Sequence, residues 1–345
     1  MKILVIRNGR VGDTVMATSA ITALLNLYPD AKITIIASPE GSRLLKGFHE
    51  RVEAIWVWSR YGLGFKSRHV KKKLIKKIEE AKFDMAFCLD TNPSIASLLD
   101  ACQGEKYFQT HLGPPTHCAR HYLNLIEQAS GQKINDIPVN LPVPDDAIAQ
   151  LGDELKKIGI EKDDTVIMMH PTFSGYSRLG LRKRKARKRK LWPAQNYAEL
   201  AEKLLSSDFS KNHRIKIIMA LLPAEKSLGN KIVKLSNNKI QLIESVPSFE
   251  RYKALIHRAN LFVSPDTGPM HIAAAVNTRT VAMFSNKDPA DCGPYMSSDR
   301  FNILRSECTE QPGLGIAAIS VNAMLSACEE QLEKIETEKT GKGVQ

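Results

Sequence analysis

The stretch from Leu261 to Asn286 constrains this chain more than any other. A short apolar run (Leu261, Phe262, Val263) ends in the polar turn Ser264-Pro265-Asp266-Thr267-Gly268-Pro269. A small-residue helix (His271 to Val276) follows, and then a second apolar, β-branched run, Thr280 to Phe284. Strand, Gly/Pro turn, helix start and strand make one unit of a parallel α/β sheet. Asp266 or Thr267 stands where the helix is capped, and Gly268 lets the backbone approach a ligand closely. Free N–H groups and the dipole at such a start attract phosphate. Ala273, Ala274 and Ala275 let the helix lie close to its sheet. An ordinary capped turn without a ligand is the other reading of these residues.

The amino-terminal end repeats the pattern. Lys2 to Ile6 reads as a short buried strand, Arg7 to Thr14 as a Gly-rich turn, and Met16, Ala20, Ile21, Leu24 and Leu25 as one face of a helix. The spacing Gly9-x-x-Gly12-Asp13 departs from the G-x-G-x-x-G dinucleotide fingerprint. Further strands are expected at Ile33–Ala37, Ala54–Val57, Met85–Leu89 and Lys106–Phe108. After a proline-punctuated break (Pro138 to Pro144) and a helix over Asp145 to Ile158, a second series is expected. Its strands are Thr165–Met169, Ile215–Ala220, Ile240–Ile243, Leu261–Val263 and Thr280–Phe284. Two successive series predict an α/β protein of two doubly wound domains facing a cleft. We place the first over 1–150, with a linker near 138–163, and the second over 164–320. A closing helix over 321–336 and a flexible tail over 337–345 complete the chain. His117 and His121 share one helical face, but no HExxH pattern accompanies them, so they read as surface histidines beside a groove rather than as metal ligands.

Charge narrows the partners. The net charge of +12 is concentrated in Arg182 to Lys190, RKRKARKRK, where eight of nine residues are basic. Arg68 to Lys77 adds a helix with a basic outer face, since Val70, Leu74, Ile75 and Ile78 keep helical spacing. Such stretches suit nucleic acid, an anionic membrane or a phosphorylated acceptor, or simply solvent. No apolar run approaches the roughly 20 residues of a membrane span, and no secretion signal is expected from the opening residues. The six cysteines are scattered without a CxxC pair, so neither a zinc site nor a disulfide framework is signalled and reduced thiols are expected.

Three separated segments, ILVIRNGRVGDTVMATSAITAL, KLWPAQNYAELAEKL and SPDTGPMHIAAAVNTRTVAMFSNKDPADCGPY, resemble the heptosyltransferases of lipopolysaccharide core assembly, glycosyltransferase family 9, in that order along the chain. The resemblance implies the GT-B architecture, with an acceptor-binding amino-terminal domain and a nucleotide-sugar-binding carboxyl-terminal one. It implies an inverting enzyme that moves heptose from ADP-heptose to a sugar hydroxyl of the lipopolysaccharide inner core, without a metal or other cofactor. Asp13 matches the proposed general base, and helix capping is an alternative role for it. Lys190 matches a lysine facing the donor diphosphate, Thr267 and Gly268 the phosphate cradle, Asp266 a contact to the donor sugar, and Glu225 a glutamate near the ribose. His271 is either a further phosphate donor or a plain first-turn histidine. The loop before Lys190 is longer and more basic than the family's. From it we expect Arg182, Lys183, Arg184, Lys185, Arg187 and Lys188 to contact acceptor phosphates or the anionic inner-membrane surface. Arg60 and Arg120 are further acceptor candidates. The resemblance thus implies a lipid A-core glycolipid as acceptor and a cytoplasmic enzyme, peripheral on the inner face of the inner membrane.

Two other classes fit some of these residues. One is a transferase or epimerase of the same fold using another nucleotide sugar, because the donor base cannot be read from the chain. The other is a nucleic-acid-binding protein using the basic arm, but no recognition motif supports it and it leaves Gly12-Asp13 and Asp266 to Gly268 without a use. We therefore expect no nucleic-acid partner. A scaffold that has lost catalysis is less attractive with Asp13 retained.

Overall fold

The computed structural model describes residues 1–59, 64–110, 116–173, 175–176, 187, 189–244 and 248–339. Among them the chain forms two compact units, one of Met1–Pro142 with Ala290–Tyr295, the other of Val143–Pro289 with Met296–Gln345.

The first unit holds a parallel sheet of β1 (Lys2–Arg7), β2 (Lys32–Ala37), β3 (Val52–Val57), β4 (Met85–Cys88) and β5 (Glu105–Phe108), in the order β3-β2-β1-β4-β5. Central strand β1 is apolar on both faces, as burial beneath helices on each side requires, and Ile3 to Ile6 are fully buried. The register pairs Ile3 with Ile33 on one side and with Met85 on the other. Helix Val11–Leu27 returns the chain from β1 to β2. Helix Gly64–Ala81 buries Leu74 and Ile78 and leaves Lys72, Lys73, Lys76 and Lys77 exposed, the amphipathic pattern read from its spacing. Lys71 is turned inward, its Nζ donating to Ser94 O and Ser97 Oγ, each at 2.7 Å, while the Nζ of exposed Lys77 lies 5.3 Å from the Trp56 ring centre.

The second unit holds β6 (Thr165–Met169), β7 (Ile215–Leu221), β8 (Ile240–Glu244), β9 (Leu261–Pro265), β10 (Thr280–Phe284) and β11 (Phe301–Arg305). Its order is β11-β10-β9-β6-β7-β8, all parallel among the pairs described. The core lies between this sheet and its helices, with Trp192, Tyr197, Leu200 and Leu204 packed against Ile167, Met169, Ile217 and Val263. No helix among the described residues is long and apolar enough to cross a membrane.

Three details differ from the sequence reading. Strand β11 is not foreseen, because FNILR is a half-buried edge strand whose two faces show no clear alternation. The units divide at Pro142/Val143 rather than at 150: helix Asp145–Lys157 packs on helix Phe249–Arg258, and Arg251 Nε donates to Glu154 Oε2 at 2.7 Å. The last helix runs over Val321–Lys339, into the segment expected to be a flexible tail.

Two glycines should respond to the same substitution with opposite sign. A Cβ on Gly104 would lie 2.2 Å from Asp84 O and 2.4 Å from Phe83 O. Gly152, exposed in helix Asp145–Lys157, has nothing within 4 Å. Gly104→Ala should cost about 1–3 kcal/mol through overpacking. Gly152→Ala should gain about 0.5–1 kcal/mol through helix propensity. Urea unfolding of each variant checks both signs.

Candidate functional site

In both sheets the strand order reverses beside the first strand of the series, between β1 and β4 in one unit and between β6 and β9 in the other. Open parallel sheets bind ligands outside the carboxyl ends of their strands at such points. The sequence places polar residues there, at the ends of otherwise apolar runs.

In the first unit Arg7, the last residue of β1, joins two carboxylates. Its guanidinium lies 2.9 Å from Asp13 Oδ1 and 2.9 Å from Asp90 Oδ2, and Asp90 immediately follows the apolar β4 run and Leu89. The Arg7 Cζ sits 5.8 Å from the buried Tyr122 ring centre. Asp13 also accepts from the Arg10 N–H at 2.8 Å, the capping geometry that was the alternative reading of this residue. Capping leaves the carboxylate open, with its side chain 36% exposed against 9% for Arg7 and Asp90. Gly9 makes the pair possible, since a Cβ there would stand 2.4 Å from Asp13 Cβ.

In the second unit three neighbouring strands, β9, β6 and β7, each deliver polar groups at the carboxyl edge. After β9, Thr267 is the N-cap residue of helix Gly268–Ala275 but makes no side-chain capping hydrogen bond; its hydroxyl meets Ser264 Oγ at 3.1 Å. Asp266 is engaged by Lys190, whose Nζ lies 2.8 Å from Asp266 Oδ2 and 3.4 Å from Asp266 O. His271 is buried within the first turn of the helix. After β7, Glu225 is buried, accepting from Thr172 Oγ1 at 2.8 Å and from the Leu222 N–H at 3.1 Å. Burial pushes its carboxyl above the usual range against those two donors. After β6, His170 is buried between Thr172 and Tyr252, and burial pushes its imidazole down to about 4.

The structure therefore brings Lys190 onto Asp266 beside the start at Thr267 and Gly268, and sets Glu225 among residues that the sequence reading did not select: His170, Thr172 and Tyr252. In the first unit that reading missed Arg7 and Asp90 beside Asp13. The usable signal was a charged or imidazole side chain closing an apolar run, as in KILVI-Arg7, MAFCL-Asp90 and TVIMM-His170. Lys190 has supports of its own. Trp192 Nε1 donates to Ile319 O at 2.8 Å, and Gly315, at φ +63°, lies against Arg189 so closely that a Cβ would be 2.4 Å from its carbonyl oxygen.

Two expected acceptor contacts are occupied locally. Arg120 is held within its own unit by Asn124, Glu127, Ile134 O and Asp136. Arg187 donates to Tyr176 O at 2.6 Å and covers the Tyr176 ring. Arg60, Arg182, Lys183, Arg184, Lys185 and Lys188 lie outside the described residues. His117 caps helix Cys118–Ser130, its Nδ1 accepting from Ala119 N at 3.1 Å while Nε2 meets Gly293 O at 3.1 Å. It is a structural histidine of that turn.

Two doubly wound α/β units, each with polar residues gathered where its strand order reverses, define a two-domain protein of the GT-B type. Comparison with known proteins agrees. The glycosyltransferase family 9 (heptosyltransferase) model matches residues 116–316, more than half of the chain. The chain is 28% identical over 330 residues to lipooligosaccharide heptosyltransferase 2 of Haemophilus influenzae, covering 88% of each sequence. Its fold is similar to the family 9 glycosyl transferase of Veillonella parvula, with a TM-score of 0.81 at 18% identity over 96% of this chain and 97% of that one. It is also similar to Escherichia coli ADP-heptose lps heptosyltransferase II, with a TM-score of 0.74 at 19% identity over 97% and 100% of the two chains. The chain belongs to glycosyltransferase family 9, the heptosyltransferases, and is an enzyme of that family.

His170 gives the site an acid-side signature. Its folded value of about 4 lies below the ordinary 6.5, so the imidazole's contribution to stability is complete above pH 6.5 and is lost as pH falls toward 4. Across that window the unfolded chain binds a proton that the native state does not, a slope of up to ~1.4 kcal/mol per pH unit. His170→Gln should flatten this part of the acid limb, checked by urea unfolding at about pH 7 and about pH 4.5.

Proposed function

We propose that the chain is an inverting, metal-independent transferase that moves heptose from ADP-heptose to a sugar hydroxyl of the lipopolysaccharide inner core. The observation that carries the reading is the pair of polar clusters at the two points where strand order reverses, one built on Asp13 and the other on Lys190, Asp266 and the start of helix Gly268–Ala275. Family membership supplies heptose transfer to lipopolysaccharide at the level of the family. The name of the E. coli structural relative supplies ADP-heptose as the donor to test.

Direct displacement needs one base and one stabilised leaving group. Asp13 serves as the base, taking the proton of the acceptor hydroxyl as its oxygen attacks the anomeric carbon opposite ADP. Arg7 holds the carboxylate in place, and because Arg7 is shared with Asp90 the trio keeps a net negative charge. Each Asp13 oxygen has one partner among the described groups and retains lone-pair capacity for the proton. The diphosphate of ADP is held at Thr267 and Gly268 by the N–H groups and dipole of the helix start. Lys190 turns from Asp266 toward the charge that builds as the glycosidic bond breaks, and Asp266 is released to bond donor-sugar hydroxyls. Lysine and helix start together supply the charge stabilisation that a divalent cation supplies elsewhere, which is the chemical basis for proposing metal independence. Glu225 accepts from the ribose hydroxyls, and His271 supports the phosphate turn from within.

The basic arm, with Arg182, Lys183, Arg184, Lys185 and Lys188, is proposed to meet acceptor phosphates and the anionic inner-membrane surface, which makes the enzyme cytoplasmic and peripheral. Each basic residue near such a surface contributes on the order of 1 kcal/mol. Replacing these five residues with Gln should reduce co-sedimentation with anionic liposomes at low salt; unchanged binding would remove the arm from the account.

The central test is ADP release from ADP-heptose in the presence of a lipid A-core acceptor. Asp13→Asn should lower the transfer rate by roughly 10²–10⁴-fold, the usual worth of a general base, while ADP binding is retained. Transfer should persist in EDTA, and the anomeric configuration of the product, read by NMR, should be inverted relative to the donor. Normal turnover by Asp13→Asn would remove the base from this mechanism. Release from another nucleotide sugar in place of ADP-heptose would reassign the donor.

A further inference from the structure

Glu225 is the terminus of a chain of hydrogen bonds that is buried from His170 onward and begins at half-buried Tyr252, and the donors along that chain all run one way. The Thr172 hydroxyl gives its single proton to Glu225 Oε1 at 2.8 Å. The same oxygen lies 3.1 Å from His170 Nε2, so the imidazole nitrogen must be the donor there. A neutral imidazole with its proton on Nε2 has a bare Nδ1, and Tyr252 Oη lies 3.3 Å from that atom. The tyrosine hydroxyl therefore donates to His170, His170 to Thr172, and Thr172 to Glu225.

The chain crosses three parts of the fold. Tyr252 comes from helix Phe249–Arg258, His170 and Thr172 from the segment after β6, and Glu225 from the 3₁₀ turn after β7. His170, Thr172 and Glu225 are 7%, 0% and 8% exposed, so water does not compete freely for these contacts. Each member polarises the next, and a low local dielectric makes breaking the chain costly. The second carboxylate oxygen, Oε2, is tied to the Leu222 N–H at 3.1 Å. Both oxygens are fixed, yet each keeps a lone pair, because an ionised carboxylate accepts about four hydrogen bonds.

We propose that Tyr252, His170 and Thr172 are positioning residues that hold Glu225 as a preset double acceptor for the vicinal hydroxyls of a ribonucleotide, so that the site selects ribo- over 2′-deoxyribonucleoside diphosphates. The inference rests on the reading of Glu225 as the ribose contact. A carboxylate held from behind on both oxygens cannot rotate to follow a sugar that lacks one hydroxyl. The missing partner therefore leaves a buried acceptor unmatched.

Calorimetric binding of ADP and of 2′-deoxy-ADP tests this. The unaltered protein should prefer ADP by roughly tenfold or more, the worth of a hydrogen bond to a charged group, and Glu225→Gln should erase the preference. Thr172→Val and Tyr252→Phe should each shrink the preference several-fold, whereas Thr172→Ser, which keeps the hydroxyl, should restore it. Adding Thr172→Val to Glu225→Gln should change nothing further, because the two act on one group. A preference that survives intact in folded Thr172→Val and Tyr252→Phe would overturn the relay and leave Glu225 as the ribose contact. A preference absent from the unaltered protein, or retained in Glu225→Gln, would overturn the ribose reading and the relay with it. Should Thr172→Val fail to fold, Tyr252→Phe decides by the same criterion.

Discussion

Where the order of a parallel sheet reverses, the connections on either side run to opposite faces, and the loops that leave the two adjoining strands diverge. The carboxyl edge of the sheet there leaves room for polar side chains. In this chain that constraint operates twice. Arg7 and Asp90 end the runs that flank one reversal, while His170 and Asp266 follow the strands that flank the other. The buried apolar strands fix where these residues lie, and the polar contacts among them follow from that placement. Arg7 is the sharpest case. It follows the fully buried Ile3 to Ile6 and is itself buried, so its charge has to be answered locally, and Asp13 and Asp90 answer it.

The two clusters are different electrostatic devices. One cation between two carboxylates leaves an excess of negative charge at the Asp13 cluster. In the other unit a lysine–aspartate pair lies beside a helix start whose N-cap side chain makes no capping hydrogen bond. The first arrangement suits accepting a proton, and the second suits accepting an anion. The second is also buttressed from a distance in sequence: Gly315 and Ile319 pack on Arg189 and Trp192, the residues on either side of Lys190 and Leu191. A close approach of this kind admits no side chain at 315, and no local pattern in the sequence announces it.

Much of the fold was legible because buried parallel strands are continuous apolar runs, which is how KILVI, TVIMM and LFV disclose themselves. FNILR did not, since an edge strand with every residue half-buried carries neither a continuous run nor an alternation. The helix at Asp145–Lys157 is legible as a helix, but its packing on helix Phe249–Arg258, where Arg251 bonds to Glu154, joins residues far apart along the chain. At the site, Asp13, Asp266, Thr267 and Gly268 were visible as turn and cap residues. Thr172 and Tyr252 were not, because a threonine or a tyrosine gains its meaning here only from the imidazole that tertiary structure sets between them. Arg120 shows the converse. Its charge suggested a partner outside the chain, and the fold spends it on holding helix Cys118–Ser130 to the segment at Ile134–Asp136.

The short return of Ala290–Tyr295 into the first unit has a consequence for how such a chain can be divided. Tyr295 donates to Asp136 at 2.7 Å, its carbonyl accepts from Val139 N, and its ring stacks on His117 at 4.6 Å. A fragment that stops at residue 142 forfeits all three of these contacts. One that starts at 143 carries an orphaned hexapeptide in the midst of its own sequence. Recombination that exchanges halves at a single crossover would therefore mismatch this plug, and domain grafts have to move two stretches of the gene together.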